Sequence, residues 1–356
     1  MNIRKYILSR GGVTHTPVSG TFELTPRCNF NCEMCYIHMS PDEEKTCGCE
    51  LDTVEWLDIG KRARDAGMVY LLITGGEPLL RPDFCEIYTA IAKMGVMVSV
   101  NTNGSLIDGK ITECLSAHLP EMVNVTLYGS SENTYSRVCG CGAGFMAARE
   151  GILRLHQAGI PVTINTTFTR HNADDMKELV DFAVSHKIPI RTTGYIFPPV
   201  RRGAGGSDIS ALLTPEEHGA LCAGFDRLTL DEQTRARRAR LISECRDAVQ
   251  NSAVPEATGH CMAGRGAFWI TWDGKMLPCG MLPALNANAR HGGFETAWES
   301  MRRMADSIEI PQKCRTCKNK PICPVCAAVC AAANDASKPP RALCSFIETY
   351  AGICNE

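Results

Sequence analysis

Apolar residues recur in two alternating rhythms along about the first two hundred positions of the chain. Short β-rich runs fall at Thr21–Thr25, Val69–Ile73, Val96–Val100, Val123–Leu127, Val162–Thr166 and Ile188–Thr193. Most are apolar at nearly every position, the pattern of parallel strands covered on both faces. Between them the apolar spacing lengthens to that of a helix. After Leu51, Asp52 and Glu55 make a capping-box-like start, Trp56, Ile59, Ala63 and Ala66 share one face, and Gly67 supplies a C-terminal stop. Further helices are predicted over Glu86–Met94, Phe145–His156 and Asp174–Ser185. Six strand–helix units in order predict an α/β fold around a parallel sheet, open or curled into a partial barrel. Right-handed crossovers put the C-terminal end of every strand on one rim, where βα barrels carry their sites.

The rhythm then changes twice. Gly203 to Asp208 is a Gly/Ser-rich break, and Thr214–Gln250 reads as helix opened by Thr214-Pro215-Glu216-Glu217. Its basic cluster, Arg235, Arg237, Arg238 and Arg240, reads first as a solvated helix face and second as a dock for an acidic peptide. From Gly259 cysteines dominate. The expected organisation is a lead-in over 1–20, a partial barrel over 21–200, a bridging helical region over 201–258 and a small cysteine-rich domain over 259–356.

Composition narrows the function classes. A chain of 356 residues exceeds what one core usually supports. With 44% hydrophobic and 21% charged residues it has an ordinary soluble composition, and a net charge of −2 offers no general attraction for nucleic acid or an anionic membrane. No apolar run approaches a membrane span, and Met1-Asn2-Ile3-Arg4-Lys5 is not followed by a signal-peptide core, so a cytoplasmic protein is expected. Twenty cysteines are too many for thiol packing alone. Disulfides need an oxidising compartment that nothing indicates, which leaves metal binding.

The motifs fall where the strands end. Cys28-x3-Cys32-x2-Cys35, followed by Tyr36, comes after the first strand. Three thiolates so closely spaced can hold three corners of a [4Fe–4S] cluster and leave one iron for another ligand, unlike the four-cysteine sites of electron carriers. A zinc knot completed by His38 is the alternative. After the second strand comes Thr74-Gly75-Gly76-Glu77-Pro78, in which the glycines let backbone approach a ligand and Glu77 offers an acceptor for a cationic amine. After the third comes Asn101-Thr102-Asn103-Gly104, able to hydrogen-bond a ribose or backbone, although an Asn-Gly turn alone explains Gly104. The fourth ends Thr126-Leu127-Tyr128-Gly129, and the sixth leads to Tyr195–Arg202, a candidate wall of a substrate channel.

Together these motifs resemble the radical S-adenosylmethionine (SAM) superfamily, over nearly the whole chain from Thr21 to Cys344. The resemblance implies that Cys28, Cys32 and Cys35 hold the SAM-binding cluster. It implies that the Gly75–Pro78 motif positions the SAM amino group, with Tyr36 and Asn103 beside the cofactor. Thr126 would meet the SAM ribose or carboxylate and Arg137 that carboxylate, a buried threonine and a surface arginine being the plainer alternatives. The implied chemistry is reductive cleavage of SAM to a 5′-deoxyadenosyl radical, followed by hydrogen abstraction. An electron donor of the flavodoxin or ferredoxin type is implied as a partner.

The tail resembles the SPASM extension of such enzymes, a module with two auxiliary [4Fe–4S] clusters, three clusters in all. Asp273-Gly274-Lys275-Met276-Leu277-Pro278-Cys279 matches its hairpin. Carried across, the distal ligands are Cys314, Cys317, Cys323 and Cys344. The proximal ligands are Cys261, Cys279 and Cys326, with Cys330 in excess, so that cluster either keeps an open iron or is closed by Cys330. Cys85, Cys114 and Cys222 read as buried small hydrophobes. Cys47-Gly48-Cys49 and Cys139-Gly140-Cys141 read as loops, one of which could give a hydrogen atom to a substrate radical.

Substrates of similar enzymes are mostly peptides or proteins, so maturation of a ribosomally made peptide by a thioether or carbon–carbon crosslink is the favoured expectation. Against the peptide reading, about twenty residues before the first strand are too few for the leader-binding domain that opens many peptide maturases, so a leader would have to be recognised elsewhere or by a separate leader-binding protein. Alternatives are a peptide epimerase, a sulfatase maturase, an enzyme on a small cofactor precursor, and a non-catalytic iron–sulfur or zinc protein. The sulfatase reading is weakened because Gly280, not an aspartate, follows Cys279.

Overall fold

The structure, a computed structural model, describes residues 3–37, 39, 48–198, 200, 211–250, 261–305, 307–320, 322–333 and 337–355, with side chains of the long helix as far as 244. His38, Cys47, Arg201, Arg202, the Gly203–Asp208 break, the Cys245 side chain and Gly259 lie outside the described residues.

Six parallel strands form the expected series: β1 (Ser19–Glu23), β2 (Tyr70–Thr74), β3 (Met97–Thr102), β4 (Met122–Thr126), β5 (Val162–Thr166) and β6 (Ile190–Thr192). Helix α1 (Ile3–Thr14) precedes them. Between them lie α2 (Thr53–Asp65), α3 (Phe84–Lys93), α4 (Gly109–Ala117), α5 (Glu132–Cys139), α6 (Gly144–Gln157) and α7 (Met176–Ser185). Helix α2 starts for the reason its sequence offers. The Asp52 carboxylate accepts from Glu55 N–H at 2.8 Å, and Glu55 accepts from Asp52 N–H at 2.9 Å. Trp56, Ile59 and Ala63 are buried, and Gly67 leaves the helix at φ +114°.

The sheet does not end with β1. Its order is β6-β5-β4-β3-β2-β1-β7-β8-β9, where β7 (Ala267–Ile270), β8 (Lys275–Leu277) and β9 (Ala287–Asn288) come from the cysteine-rich tail. Strand β7 runs parallel to β1, Ser19 opposite Ala267, and Trp269 Nε1 donates to Glu23 Oε2 at 2.6 Å across the seam. The β7–β8 turn is the expected hairpin, with Gly274 at φ +83°. Strands β6 and β9 stand at the two ends of the sheet, which is open rather than closed.

The stretch Thr214–Gln250 is two helices, α8 (Pro215–Thr229) and α9 (Glu232–Gln250). Asp231 breaks the run because its carboxylate accepts from Thr234 N–H at 2.6 Å, an N-cap that starts a new helix. The tail adds α10 (Phe294–Ala305), α11 (Ala327–Ala332) and α12 (Arg341–Ile353). One core joins sheet and flanking helices through fully buried Phe22, Trp56, Ile73, Ile87 and Ile164. A second packs α8 against α12 through Cys222, Ala223, Leu343, Phe346 and Ile347.

Buried Arg81 stitches three segments together under the rim. Nη1 donates to the carbonyls of Leu24 (3.1 Å) and Leu51 (3.0 Å), and the guanidinium pairs with Asp83 at 2.6 Å. Replacing it with alanine strands Asp83 and two carbonyls, so Arg81→Ala is expected to lower unfolding free energy by about 3–5 kcal/mol. Denaturant titration of the variant checks this, and a loss under about 1 kcal/mol would refute it.

Candidate active site

A cavity of ≈ 470 Å³ opens at the C-terminal ends of β1 to β6, and every one of those strands or the loop after it contributes to the wall. Cys28, Cys32, Cys35 and Tyr36 line it from the loop after β1. That loop is held in shape by distant partners. Asn31 and Glu33 N–H groups donate to the carbonyls of Cys139 (2.9 Å) and Val138 (3.0 Å) at the end of α5. The Glu33 carboxylate accepts from Thr169 Oγ1 at 2.8 Å and pairs with His171 Nδ1 at 2.9 Å. Val200 N–H donates to Tyr36 O at 2.9 Å.

Gly75 and Gly76 line the cavity, but the close approach they permit is to the chain leading into the cysteine loop. A Cβ on Gly76 would stand 2.2 Å from Arg27 O, and one on Gly75 2.7 Å from Thr25 O. Gly76 N–H donates to Thr25 O (2.7 Å) and Glu77 N–H to Arg27 O (2.8 Å). The two loops can touch only where side chains are missing.

Glu77 is placed differently from the expectation of an acceptor for an amine. It is fully buried and does not line the cavity. Its Oε1 accepts from Thr102 Oγ1 (2.8 Å) and Leu79 N–H (3.0 Å), and its Oε2 from Asn103 N–H (2.7 Å). Burial raises its pKa to about 7 against those hydrogen bonds. Pro78 is buried beside it, opening a 3₁₀ turn. Glu77 therefore holds Asn103, which lines the cavity and reaches Cys28 Sγ (3.9 Å) and Asn29 Oδ1 (2.8 Å) through Nδ2.

Thr126 also lines the cavity, whereas Arg137 is exposed on α5 and contributes nothing to the wall. The arginine that faces the cavity is Arg191 of β6, which sequence reading missed. Its Nη2 donates to Asn124 Oδ1 (3.2 Å), and Asn124 Nδ2 donates to Asn101 Oδ1 (2.9 Å), another lining residue. Tyr128, Asn165 and Thr166 were missed as well. The available signal was polarity at the last positions of β5 and β6, strands otherwise apolar.

Several observations bear on whether an iron–sulfur cluster and SAM fit here. The hydroxyls of Thr166 and Thr192 are buried on the cavity wall without a hydrogen-bond partner, which a polar ligand would satisfy. Burial pushes the Cys28 thiol up to about 12, so its proton leaves only for a strong Lewis acid such as iron. Cys32 and Cys35 are its electrostatic neighbours. Among the described residues no three donor side chains are drawn into closed ligand geometry, and Cys32 rests against the thiol of Cys139. That contact and burial raise the Cys32 pKa. The donor set, three soft thiols beside exposed peptide groups, carboxamides and hydroxyls, fits the pair of groups.

Cys139 is the last residue of α5 and fully buried rather than in a loop. Neither it nor Cys141 lines the cavity. In the tail, Cys314, Cys317, Cys323 and Cys344 are electrostatic neighbours of one another, and Cys330 adjoins Cys314, Cys326, Cys323 and Cys344. Cys326 neighbours Cys261, while Cys279 packs near Ala263, Ala305 and Ala327. No helix among the described residues is long and apolar enough to cross a membrane.

The sequence model of the Radical SAM superfamily matches residues 22–183. An AdoMet-dependent heme synthase of Methanosarcina barkeri is 26% identical over 331 residues, 89% of this chain and 93% of the relative. A PqqA peptide cyclase of Rhizobium meliloti is 27% identical over 319 residues, 86% of this chain and 80% of the relative. Among solved structures, SuiB of Streptococcus suis bound to S-adenosylmethionine aligns at TM-score 0.68 with 18% identity, over 96% of this chain and 79% of that one. The enzyme anSMEcpe with bound AdoMet aligns at TM-score 0.71 with 18% identity, over 94% and 92%. The superfamily match covers the strands that build the thiol-lined rim, so residues 22–183 are a radical SAM domain of an enzyme, and the likeness of fold to SuiB and anSMEcpe runs on through the tail.

Proposed function

We propose that this enzyme abstracts hydrogen from a peptide, in the maturation of a ribosomally made peptide by a thioether or carbon–carbon crosslink. The observation that carries the reading is that a larger cleft adjoins the thiol-lined cavity. Thr192 at the end of β6 also lines a cleft of ≈ 940 Å³ running between α8, α9, α12 and the tail, room enough for a substrate larger than the cofactor. Similarity to the PqqA peptide cyclase over 86% of the chain supports the same substrate class.

When bound, SAM and a reduced cluster supply a carbon radical able to remove a substrate hydrogen. Cys28, Cys32 and Cys35 would hold the cluster. Gly75, Gly76 and Asn103 would present peptide groups and a carboxamide to the amino-acid end of SAM, and Thr126, Thr166 and Thr192 hydroxyls to it. Arg191, rather than Arg137, would pair with the carboxylate. We assign the distal auxiliary ligands to Cys314, Cys317, Cys323 and Cys344 and the proximal ones to Cys261, Cys279 and Cys326, with Cys330 between the two sets. An electron donor of the flavodoxin or ferredoxin type and a separate leader-binding protein complete the scheme.

A sulfatase-maturase role is disfavoured where its base would stand. A Cβ on Gly280 would lie 2.9 Å from the Trp269 indole, which leaves no room for a carboxylate. An epimerase using Cys139 or Cys141 is disfavoured by their absence from the cavity wall. A tetrapyrrole substrate is the second reading, supported by similarity to the heme synthase over 89% of the chain.

The test is iron content and 5′-deoxyadenosine release from anaerobically reconstituted protein given dithionite and SAM, with and without a short cysteine-containing peptide encoded beside it. About twelve irons per chain, deoxyadenosine, and a mass change in the peptide are expected. About eight irons with turnover would remove one auxiliary cluster, and zinc without deoxyadenosine would overturn the whole reading. Cys317→Ala is expected to lose about four irons and part of the thermal stability, because the tail folds around its metal. An unchanged iron count in a folded Cys317 variant would refute the distal ligand set.

A further inference from the structure

Helix α9 carries Arg235, Arg237, Arg238 and Arg240 within six positions of a chain whose overall charge is −2. By sequence this reads first as a solvated face and second as a dock for an acidic peptide. In the fold Arg237 and Arg240 are exposed and, with Arg238, line the ≈ 940 Å³ cleft that shares Thr192 with the thiol-lined cavity. The cleft's other lining is largely apolar, with Ile322, Pro324, Phe346 and Ile347. An adjoining hollow of ≈ 280 Å³ along the same helix adds Arg227 and Arg235. Across the two, five guanidinium groups face three carboxylates, those of Asp226, Glu232 and Glu244.

The arginines differ in what already holds them. Arg238 is committed to the fold, pairing with Asp226 and donating to Tyr350 Oη at 2.7 Å. Arg240 pairs with Glu244 at 2.8 Å, but both side chains are exposed, and ion pairs of this kind contribute too little to resist a competing carboxylate. Arg237 is exposed and has no ion-pair partner among the described residues. Two guanidinium groups are thus available beside an apolar wall. That combination matches an extended peptide in which carboxylates alternate with apolar side chains: the guanidinium fork binds carboxylate oxygens in pairs, and the wall buries what lies between.

We propose that the cleft receives an acidic stretch of the peptide substrate, with Arg237 and Arg240 reading its carboxylates, and so delivers the reacting residue past Thr192 into the thiol-lined cavity. The inference rests on the peptide reading above. It adds a substrate feature, acidic side chains near the modified residue, that the reading itself does not require.

The experiment is fluorescence anisotropy with reconstituted enzyme and two short labelled peptides, one alternating glutamate with leucine, the other glutamine with leucine. The glutamate peptide is expected to bind about tenfold tighter, and only its binding should weaken as salt rises. In R237Q/R240Q that preference should fall to about onefold. In R154Q, on the outer side of α6, it should persist. Both replaced arginines of the double variant are exposed, and its circular dichroism reports folding independently. Equal binding of the two peptides by the unaltered enzyme would overturn the inference and leave the peptide reading standing. A preference lost equally in R154Q would also overturn it, as an effect of bulk charge. Binding of a porphyrin tetracarboxylate but of neither peptide would overturn the inference and the peptide reading together.

Discussion

Cys32→Ala is expected to abolish 5′-deoxyadenosine release, by at least about a thousandfold, while the tail retains its iron. Three thiolates are the fewest that leave one iron of a four-iron cluster for SAM, and two do not hold it. The fold adds a complication that the motif does not contain. Cys139 is fully buried with its thiol against Cys32, so a fourth sulfur stands within reach of the loop. The measurement is therefore made on Cys32→Ala, Cys139→Ala and the double variant, with deoxyadenosine and iron quantified for each. Cys139→Ala should keep turnover, since Cys139 does not line the cavity. Normal release by Cys32→Ala would sink the three-thiol assignment. Release lost only in the double variant would transfer the third corner to Cys139.

The second large effect is a pH dependence carried by Glu77. Burial raises its folded pKa to about 7, against an ordinary value of 4.5, in spite of three hydrogen bonds to the carboxylate. Between those values the folded chain binds more protons at this site than the unfolded chain does. The slope of unfolding free energy with pH is then negative. The contribution is fully present below about pH 4.5 and lost as pH rises through about 7, on the order of 3 kcal/mol in total. Glu77→Gln removes the titration. It also turns an amide N–H toward Asn103 N–H, so the variant should be less stable at pH 5 by about 1–3 kcal/mol. Anaerobic thermal midpoints from pH 5 to 8 check both points: the unaltered protein should fall relative to the variant, and parallel curves would refute the assignment.

Glu77 also marks the limit of what a motif discloses. A carboxylate after two glycines at a strand end reads naturally as a hand held out to a ligand. Here it turns inward, because Thr102, Asn103 and Leu79 present three donors in a buried space that the two oxygens of one carboxyl group meet together. The choice between Arg137 and Arg191 has the same character. Arg191 lies within β6 and lines the cavity, whereas Arg137 lies on the helix after β4 and is turned to solvent. The first strand was read two residues late because Ser19 and Gly20 lack apolar character; their place in β1 comes from pairing with Tyr70, Leu71, Ala267 and Phe268.

What the sequence determined by itself is short-ranged: the strand–helix alternation, the Asp52–Glu55 cap, the Gly67 stop, the Gly274 turn, and the three thiols within eight positions. Each depends on residues a few places apart, whose geometry follows from backbone sterics and local hydrogen bonds. The tertiary structure alone decided three things. It laid β7 on the free edge of β1, so that the tail extends the barrel sheet. It set Cys139 against Cys32, and it turned the arginines of α9 into the wall of a cleft that shares Thr192 with the thiol-lined cavity. These contacts join segments about a hundred or more residues apart in most cases, and their distances depend on strand order and helix packing, which no local pattern encodes.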